Sequence, residues 1–406
     1  MANNRKQPQG KSKNARPAAR GNTGENAEAR QRKAARRKRK RIARIVLLLL
    51  CLLIVGIIVF LFTTVRTFRD YKVVASSEQE DTVSTKYVEL DGKFLKYSPD
   101  QVSLVTKDLE TVWTETHSMQ NPVADVNGNR VVIADRDGTR LEMYNEKGLT
   151  GSCTTSYSIV KARVSSKGMV AAILDSGEDT WINYYGTDGS LIAENQTKID
   201  DPGYPMDVAI SNDGIIMMVT YQFVKGGETT SYVAFYNFGD AGKNEDNRIV
   251  SGYEYDGIVI PQVEYLSGSR STAIRDNGFV LYEGKQVPKE AKVVSVDKEI
   301  ISTFYDDDII GLVFRNDENS KDYTMDVYNT DGSKRFSRNF NSPYTNIRVS
   351  NGYILMYNSS QVCVLSSNGN EEFRGAIDGS VNDFFRISWN RYLLVLDSGI
   401  EVIKLT

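Results

Sequence analysis

The distribution of apolar residues separates one short, uniformly apolar segment from a long alternating region. Residues Ile45 to Val65 form a run of 21 residues without a charge, dominated by Leu, Ile, Val and Phe. A helix rises about 1.5 Å per residue, so this run would extend about 31 Å, which matches the hydrocarbon core of a bilayer. A buried helix of a soluble protein seldom runs this far without a polar face. The pattern predicts a transmembrane helix over residues 45–65.

After Val65 the chain changes to short strands of alternating apolar and polar residues, separated by Gly, Asp, Asn and Ser. One unit recurs, in which a strand ends near an aromatic residue, a polar turn with Gly follows, and another strand begins. Equivalent strand ends are spaced by 41, 51, 46 and 46 residues at Tyr144, Tyr185, Tyr236, Tyr282 and Tyr328. Several strands in a period of about 40–50 residues are typical of a β-propeller.

Two units agree residue by residue, which indicates that the repeat is real. The segments are YVELDGKFLKYSPDQVSLV, from Tyr87 to Val105, and IRVSNGYILMYNSSQVCVL, from Ile347 to Leu365. At a constant offset of 260 residues, their Gly, second Tyr and Gln positions coincide and their apolar positions alternate together.

The unit count predicts an all-β fold with eight propeller blades. Seven blades remain the alternative if the short unit at residues 279–287 merges with a neighbour, and a pair of β-sandwiches or a helical solenoid is a more distant one. The last unit, Phe384 to Thr406, has room for about three strands. The segment Tyr71–Ser84 is available as its fourth strand, and such a closure would remove an exposed sheet edge. We therefore expect a basic tail (1–44), a membrane helix (45–65), a linker with a closing strand (66–85) and a propeller ectodomain (86–406).

Charge predicts the orientation of this arrangement. The net charge of -2 conceals sixteen Lys or Arg and only two Glu in the first 44 residues, so the remaining chain is acidic. Basic residues near a membrane helix stay in the cytoplasm, which places the propeller outside. The residues that carry this signal are Arg36, Arg37, Lys38, Arg39, Lys40, Arg41 and Arg44. An uncleaved anchor is favoured over a cleaved signal peptide, because both the apolar run and the basic region are too long.

The tail itself has two interpretations, nucleic-acid binding or a disordered topology signal that also attracts anionic lipid. Residues 1–30 have almost no large apolar residue, which favours disorder. Nucleic-acid binding makes little sense beside a membrane segment, so we expect contact with membrane lipid and none with nucleic acid.

The repeat pattern is similar to WD40-like and PQQ-like propeller repeats, and the stretch KDLETVW, from Lys107 to Trp113, resembles the end of a PQQ-type repeat. The whole arrangement of basic tail, single span and units with turns such as Tyr328–Gly332 resembles the DUF5711 family of membrane-anchored propeller proteins of Gram-positive bacteria. That resemblance implies a location in the bacterial cell envelope. It implies no known activity and no site residues.

Residues with catalytic or metal-binding chemistry are scarce. The only histidine, His117, lies in a polar stretch, where we expect a loop residue with no special role. The motif Asp135-Arg136-Asp137-Gly138 is interpreted as a hairpin turn, because it lacks the later ligands of a calcium loop. The run Asp306-Asp307-Asp308 is either a solvated turn or a cation site. Cys153 and Cys363 are expected to be free, since nothing in the sequence brings them together. We therefore assign no catalytic, cofactor or metal residues.

These observations favour a non-catalytic binding or scaffold module in the cell envelope. Two segments break the regular spacing, Thr220–Ser231 and Gly239–Tyr255, and binding often lies on such loops. The acidic propeller favours an envelope protein as partner and leaves a wall polymer open. One alternative is an envelope hydrolase or lyase with carboxylates or tyrosines at the central channel. Another is a ligand sensor that signals to the cytoplasmic tail.

Overall fold

The computed structural model describes residues 42, 44–56, 67–77, 84–198, 202–316, 322–341 and 344–406. The chain divides into two compact units, residues 1–66 and residues 67–406. In the first unit, residues 44–56 are helical. The remainder of the predicted transmembrane segment, through Val65, and the basic residues from Arg36 to Arg41 lie outside the described residues. Within the described part of the chain, no helix is long and apolar enough to cross a membrane.

The second unit is built from eight four-stranded antiparallel sheets, which are the blades of a propeller. Blade 1 contains β2 (Lys86–Leu90), β3 (Lys93–Tyr97), β4 (Gln101–Val105) and β5 (Thr111–Thr116). Blade 2 contains β6 (Pro122–Asn127), β7 (Arg130–Asp135), β8 (Arg140–Asn145) and β9 (Gly148–Thr154). Blade 3 contains β10 (Ser158–Val164), β11 (Val170–Asp175), β12 (Thr180–Tyr185) and β13 (Leu191–Thr197). Blade 4 contains β14 (Tyr204–Ile210), β15 (Ile216–Lys225), β16 (Glu228–Asn237) and β17 (Ile249–Asp256).

The remaining blades follow the same order. Blade 5 contains β18 (Gln262–Ser267), β19 (Arg270–Arg275), β20 (Gly278–Glu283) and β21 (Lys289–Ser295). Blade 6 contains β22 (Ile300–Tyr305), β23 (Ile309–Arg315), β24 (Tyr323–Asn329) and β25 (Lys334–Phe340). Blade 7 contains β26 (Asn346–Ser350), β27 (Tyr353–Tyr357), β28 (Gln361–Ser366) and β29 (Glu371–Ala376). Blade 8 contains β30 (Val381–Arg386), β31 (Arg391–Leu396), β32 (Gly399–Leu405) and β1 (Tyr71–Ser77).

Blade 8 joins the two ends of the propeller. Its strand order is β1-β32-β31-β30, and β1 pairs antiparallel with β32 from Tyr71 opposite Leu405 to Ser77 opposite Ile400. The N-terminal strand thereby covers an edge that β32 would otherwise expose. The eight sheets confirm the eight-bladed all-β propeller, and the seven-bladed alternative is wrong. The short fifth unit is a complete four-stranded blade of its own.

Apolar side chains between the blades hold the ring together. Eight buried clusters each join two consecutive blades, and one of them packs Phe94 of blade 1 against Phe385 of blade 8. The repeated tyrosines belong to these interfaces, with Tyr144 2% and Tyr282 0% exposed. In blades 2 to 6, a tyrosine ring at this position therefore fills the space between neighbouring sheets.

The propeller has two distinct faces. We call the face at which the first strand of each blade ends the lower face, and the other the upper face. Because strands alternate in direction, the third strand of each blade also ends at the lower face. Polar turns follow there, and in one of them Gly332 has a φ of +72°, which glycine adopts without strain. Tyr71, opposite the end of β32, lies at this face, so residues 67–70 join the ring from the lower side.

Candidate functional site

The first strands of neighbouring blades contact one another and carry charged side chains toward the centre of the ring. Strands β6, β10, β14 and β18 bring five such residues from four blades together. Arg163 Nη1 lies 2.8 Å from Asp125 Oδ1 and 3.5 Å from Glu264 Oε2, and its Nη2 lies 3.7 Å from Asp207 Oδ2. Lys161 Nζ lies 2.6 Å from Asp207 Oδ1. We call these five residues the channel cluster.

All three carboxylates in the channel cluster have defined hydrogen-bond partners. Asp207 is fully buried and accepts the backbone N–H groups of Val208 and Val263 at 2.8 and 3.0 Å. Glu264 accepts the hydroxyl of Tyr305 at 2.9 Å. Burial raises the pKa of Glu264 to about 7, although the charge of Arg163 opposes this rise. Glu264 therefore changes its charge near neutral pH.

A cavity opens beside the channel cluster at the lower face. Its volume is about 340 Å³, and its wall includes Asp125, Arg163, Glu264, Tyr265, Tyr305 and Asp307. Residues from the turns that follow β6, β14 and β22 complete the wall, which places the opening at the end of the first strands. We call it the lower-face cavity. Its lining contains carboxylates, phenols and a guanidinium, so it is suited to a polar ligand.

Blade 4 departs from the regular geometry of the ring. Its strands β15 and β16 have ten residues each, whereas the other described strands have five to eight. The extended hairpin turns at Gly226-Gly227, and Val224 beside it is 73% exposed. Between β16 and β17 the chain forms two short 3₁₀ helices, Asp240–Gly242 and Asp246–Arg248. The two irregular segments predicted from the sequence, Thr220–Ser231 and Gly239–Tyr255, thus belong to one blade.

Both irregular segments line one groove, which we call the blade-4 groove. It has a volume of about 490 Å³ and lies between β13 of blade 3 and the strands β15 to β17. The extended hairpin contributes Phe223 and Tyr232, the insertion between β16 and β17 contributes Asn247, and β17 contributes Ile249 and Glu254. Aromatic faces bordered by amide and carboxylate groups are characteristic of recognition surfaces.

The ring of Tyr232 is held in this groove by its neighbours. It stacks on Tyr221 with ring centroids 6.3 Å apart, and Tyr221 shares a hydrogen bond of 2.6 Å with the hydroxyl of Tyr236. The phenol also lies across Gly252 of β17, where a Cβ atom would come within 2.1 Å of the Tyr232 hydroxyl. Gly252 is required here because a larger residue would displace the aromatic wall of the groove.

The family of the chain follows from a comparison of its sequence with protein families. Residues 64–405 match the model of a family of unknown function, DUF5711. The chain belongs to the DUF5711 family. No curated protein matches it.

Solved structures are similar to this DUF5711 propeller in fold. BamB from Moraxella catarrhalis is 13% identical with a TM-score of 0.51, and the match covers 83% of this chain and 100% of that one. Sqt1 from Chaetomium thermophilum is 10% identical with a TM-score of 0.53, covering 83% and 98%. A eukaryotic initiation factor is 13% identical with a TM-score of 0.50, covering 79% and 83%. At these identities the likeness concerns the propeller fold, which hosts many functions.

His117 of the DUF5711 propeller lies in the loop between blades 1 and 2, but its side chain is buried. Its two ring nitrogens lie 3.0 Å from Glu142 Oε2 and 2.7 Å from the carbonyl oxygen of Ser98. Burial disfavours its charged form, but these two acceptors outweigh burial and raise its pKa. Burial would also raise the pKa of Glu142, yet hydrogen bonds from His117, Tyr144 and Arg140 lower it to about 2. The expectation of a histidine without a special role missed this buried ion pair.

The other sequence candidates occupy turns and separate blades. Asp135 accepts the backbone N–H groups of Gln120 and Asn121, and Arg136 to Gly138 form the following turn. Asp306 accepts the N–H groups of Asp308 and Ile309, which fixes the turn after β22. In the described parts of the chain, no three His, Cys, Asp or Glu side chains are placed to hold a metal ion. Cys153 on β9 and Cys363 on β28 are both free.

The channel cluster was missed by sequence reasoning. Its members are separated by up to 139 residues, from Asp125 to Glu264. Only the arrangement of blades 2 to 5 around the ring brings them together. A weak signal exists, because Asp125 and Asp207 both occupy the fourth position of a first strand. A charged residue at this repeat position, within an otherwise apolar strand pattern, predicts a side chain at the centre of the ring.

Proposed function

We propose that this DUF5711 propeller is a non-catalytic binding or scaffold module whose blade-4 groove receives a protein partner. The observation that carries the proposal is the concentration of irregular structure in one blade. Two separate insertions, one in the β15–β16 hairpin and one between β16 and β17, meet at a single groove with half-buried aromatic rings. Protein interfaces are enriched in such aromatic anchors.

The surroundings of the groove support a protein rather than a small molecule as its occupant. Phe223 and Ile249 supply apolar surface in the groove, and the exposed ion pair of Lys225 with Glu254, at 2.5 Å, supplies a polar rim. An apolar centre with a charged rim is the usual layout of a protein interface. The acidity of the chain after residue 44 favours a partner with a basic surface.

Photocrosslinking tests this proposal at the groove itself. A photoreactive phenylalanine at Phe223 of the full-length chain, expressed in its native cells, should form one reproducible crosslinked product identified by mass spectrometry. The matched control places the same probe at Val112, a 48% exposed residue on the outer strand of blade 1. Equal products from both positions, or none from Phe223, would argue against a partner at blade 4.

The cellular setting is also part of the proposal. The apolar run from Ile45 to Val65 and the basic residues before it support a single membrane anchor with the propeller outside the cytoplasm. Protease added to intact cells should digest the propeller and leave a cytoplasmic control protein intact. A propeller that resists protease until the cells are lysed would exclude the extracytoplasmic location.

A second candidate, an envelope hydrolase or lyase, is favoured by one observation. Two carboxylates and a phenol, from Asp125, Glu264 and Tyr305, line the lower-face cavity, and the pKa of Glu264 is about 7. A carboxyl with such a pKa is suited to acid–base work near neutral pH. Turnover of envelope glycans or peptides that disappears in Glu264→Gln while the fold is retained would support this candidate. No turnover of either class of polymer by the wild-type chain would reject it.

A further inference from the structure

The lower-face cavity is surrounded by more acidic than basic groups. Asp125, Asp207 and Glu264 surround Arg163 and Lys161 in the channel cluster. Two further carboxylates, of Asp306 and Asp307, line the same cavity. Burial raises the pKa of Asp307, and the negative charges of Asp306 and Asp308 raise it further. The cavity therefore attracts positive charge.

An independent observation points to a missing hydrogen-bond partner at the same place. Tyr265 lines the cavity and is only 6% exposed, yet its hydroxyl has no partner among the described residues. The buried Nε of Arg163 has none within that part of the chain either. A buried polar group without a partner costs free energy, so such groups in native proteins mark the place of a ligand, an ion or a water.

The chemistry of the wall selects the class of ligand. The carboxylates repel an anion, and Arg163 is already shared by three of them. A metal ion is disfavoured, because the described residues contain no group of three ligating side chains. A neutral ligand would leave the surplus of negative charge unbalanced. We infer that the lower-face cavity binds an organic cation, namely an alkylammonium or guanidinium group.

The dimensions and the hydrogen-bond acceptors of the cavity fit such a group. Its volume of about 340 Å³ lies at the small end of ligand sites. Carboxylate oxygens of Asp125, Glu264 and Asp307 accept N–H bonds from the cation, and the Tyr265 hydroxyl accepts another. Hydrogen bonds between charged partners are the stronger ones, so they determine the affinity. The cation belongs either to a free polyamine or to a Lys or Arg side chain of a protein. The inference does not depend on the partner proposed for the blade-4 groove.

Binding of defined cations to the full-length chain in detergent tests the inference by isothermal titration calorimetry. The probes are spermidine, Nα-acetyl-lysine amide and Nα-acetyl-arginine amide, with Nα-acetyl-norleucine amide as the neutral control. We expect saturable binding of at least one cation and none of the control. Tighter binding of spermidine identifies a free polyamine as the source, and tighter binding of an amino-acid amide identifies a side chain.

Variants locate the bound cation. Tyr265→Phe removes only the unpartnered hydroxyl, and Asp307→Asn changes an exposed residue, so neither should disturb folding. Each should weaken binding roughly tenfold, the effect of losing one hydrogen bond to a charged group. Glu178→Gln, an exposed residue on the upper face, should change the affinity less than twofold. Equal affinity for the norleucine control, binding of Ca²⁺ in place of the cations, or wild-type affinity in both cavity variants would overturn the inference.

Discussion

Replacing Arg163 with Met tests whether the channel cluster stabilises the ring. Met has a similar length and no charge, so the change removes the guanidinium and little volume. Of the partners left behind, Asp207 is fully buried, and the side chains of Asp125 and Glu264 are only 20% and 21% exposed. Breaking a buried ion pair by removing one partner costs about 3–5 kcal/mol, because the other charge stays in the interior.

The lower end of that range applies to Arg163→Met. Lys161 remains 2.6 Å from Asp207 and continues to compensate one carboxylate, so we expect a loss of about 3 kcal/mol at pH 8. The matched control is Arg270→Met, which breaks a surface pair with Glu283 whose side chains are 38% and 51% exposed. Exposed pairs contribute about 0–1 kcal/mol, so the control should lose no more than that.

The pH dependence of the loss separates charge from packing. The pKa of Glu264 is raised to about 7 in the folded chain, so its folded form binds a proton that the unfolded form has lost. A carboxyl with a raised pKa stabilises the fold at low pH, and this contribution is lost as the pH rises from about 4.5 to 7. Without Arg163 the pKa of Glu264 rises further, so Glu264 is uncharged at pH 5.5 and needs no cationic partner. The decrease in the free energy of unfolding caused by Arg163→Met should therefore be smaller at pH 5.5 than at pH 8.

Urea unfolding of the full-length chain, followed by circular dichroism and tryptophan fluorescence, measures these differences. The comparison requires that the free energy of unfolding falls equally steeply with urea concentration in the wild type, Arg163→Met and Arg270→Met. A loss below about 1 kcal/mol at pH 8, equal to that of the control, would refute the stabilising role of the channel cluster. A loss that is independent of pH would indicate a packing defect instead.

Three other changes probe separate parts of the structure. His117→Gln should cost about 3 kcal/mol at pH 6. The raised pKa of His117 means that its contribution is complete below about 6.5 and lost as the pH rises, so urea unfolding at pH 9 should show a smaller difference. Deletion of residues 67–77 removes β1 and exposes the edge of β32, so size-exclusion chromatography should show aggregates, and a monomer as stable as wild type would contradict closure by β1. Burial raises the pKa of both Cys153 and Cys363 to about 11, so in a Cys51→Ser variant, which lacks the exposed cysteine, thiol reagents at pH 8 should label the half-buried Cys153 slowly and the buried Cys363 only after urea is added, and rapid labelling of Cys363 in the folded chain would contradict its burial.

Sequence patterns predicted the blades because the information for each blade is local. The tyrosine at the end of the third strand and the following Gly turn lie within about ten residues, and turn chemistry and apolar alternation act at that range. The irregular segments of blade 4 were also visible in the sequence. The first lengthens the spacing between Tyr185 and Tyr236 to 51 residues, and the second lies in the following step of 46 residues to Tyr282. The two segments line one groove because both belong to blade 4.

Contacts between blades could not be predicted in the same way. Arg163 contacts Asp125, Asp207 and Glu264 only because four first strands converge at the centre of the ring. The polar neighbours of His117 in sequence predict a solvated loop. Its burial results from contact with Glu142, 25 residues away on the third strand of the next blade. Such pairings depend on the relative placement of sheets, which no local pattern encodes.

Hydrogen–deuterium exchange of the full-length chain, with and without the partner captured at Phe223, tests the binding role of blade 4 most directly. Residues buried by a partner exchange their amide hydrogens more slowly, and the position of this protection identifies the surface that binds. We predict new protection in β15, β16 and β17, with the outer strand of blade 1 unchanged. Protection confined to other blades, with none in β15 to β17, would contradict the claim that the blade-4 groove is the binding surface.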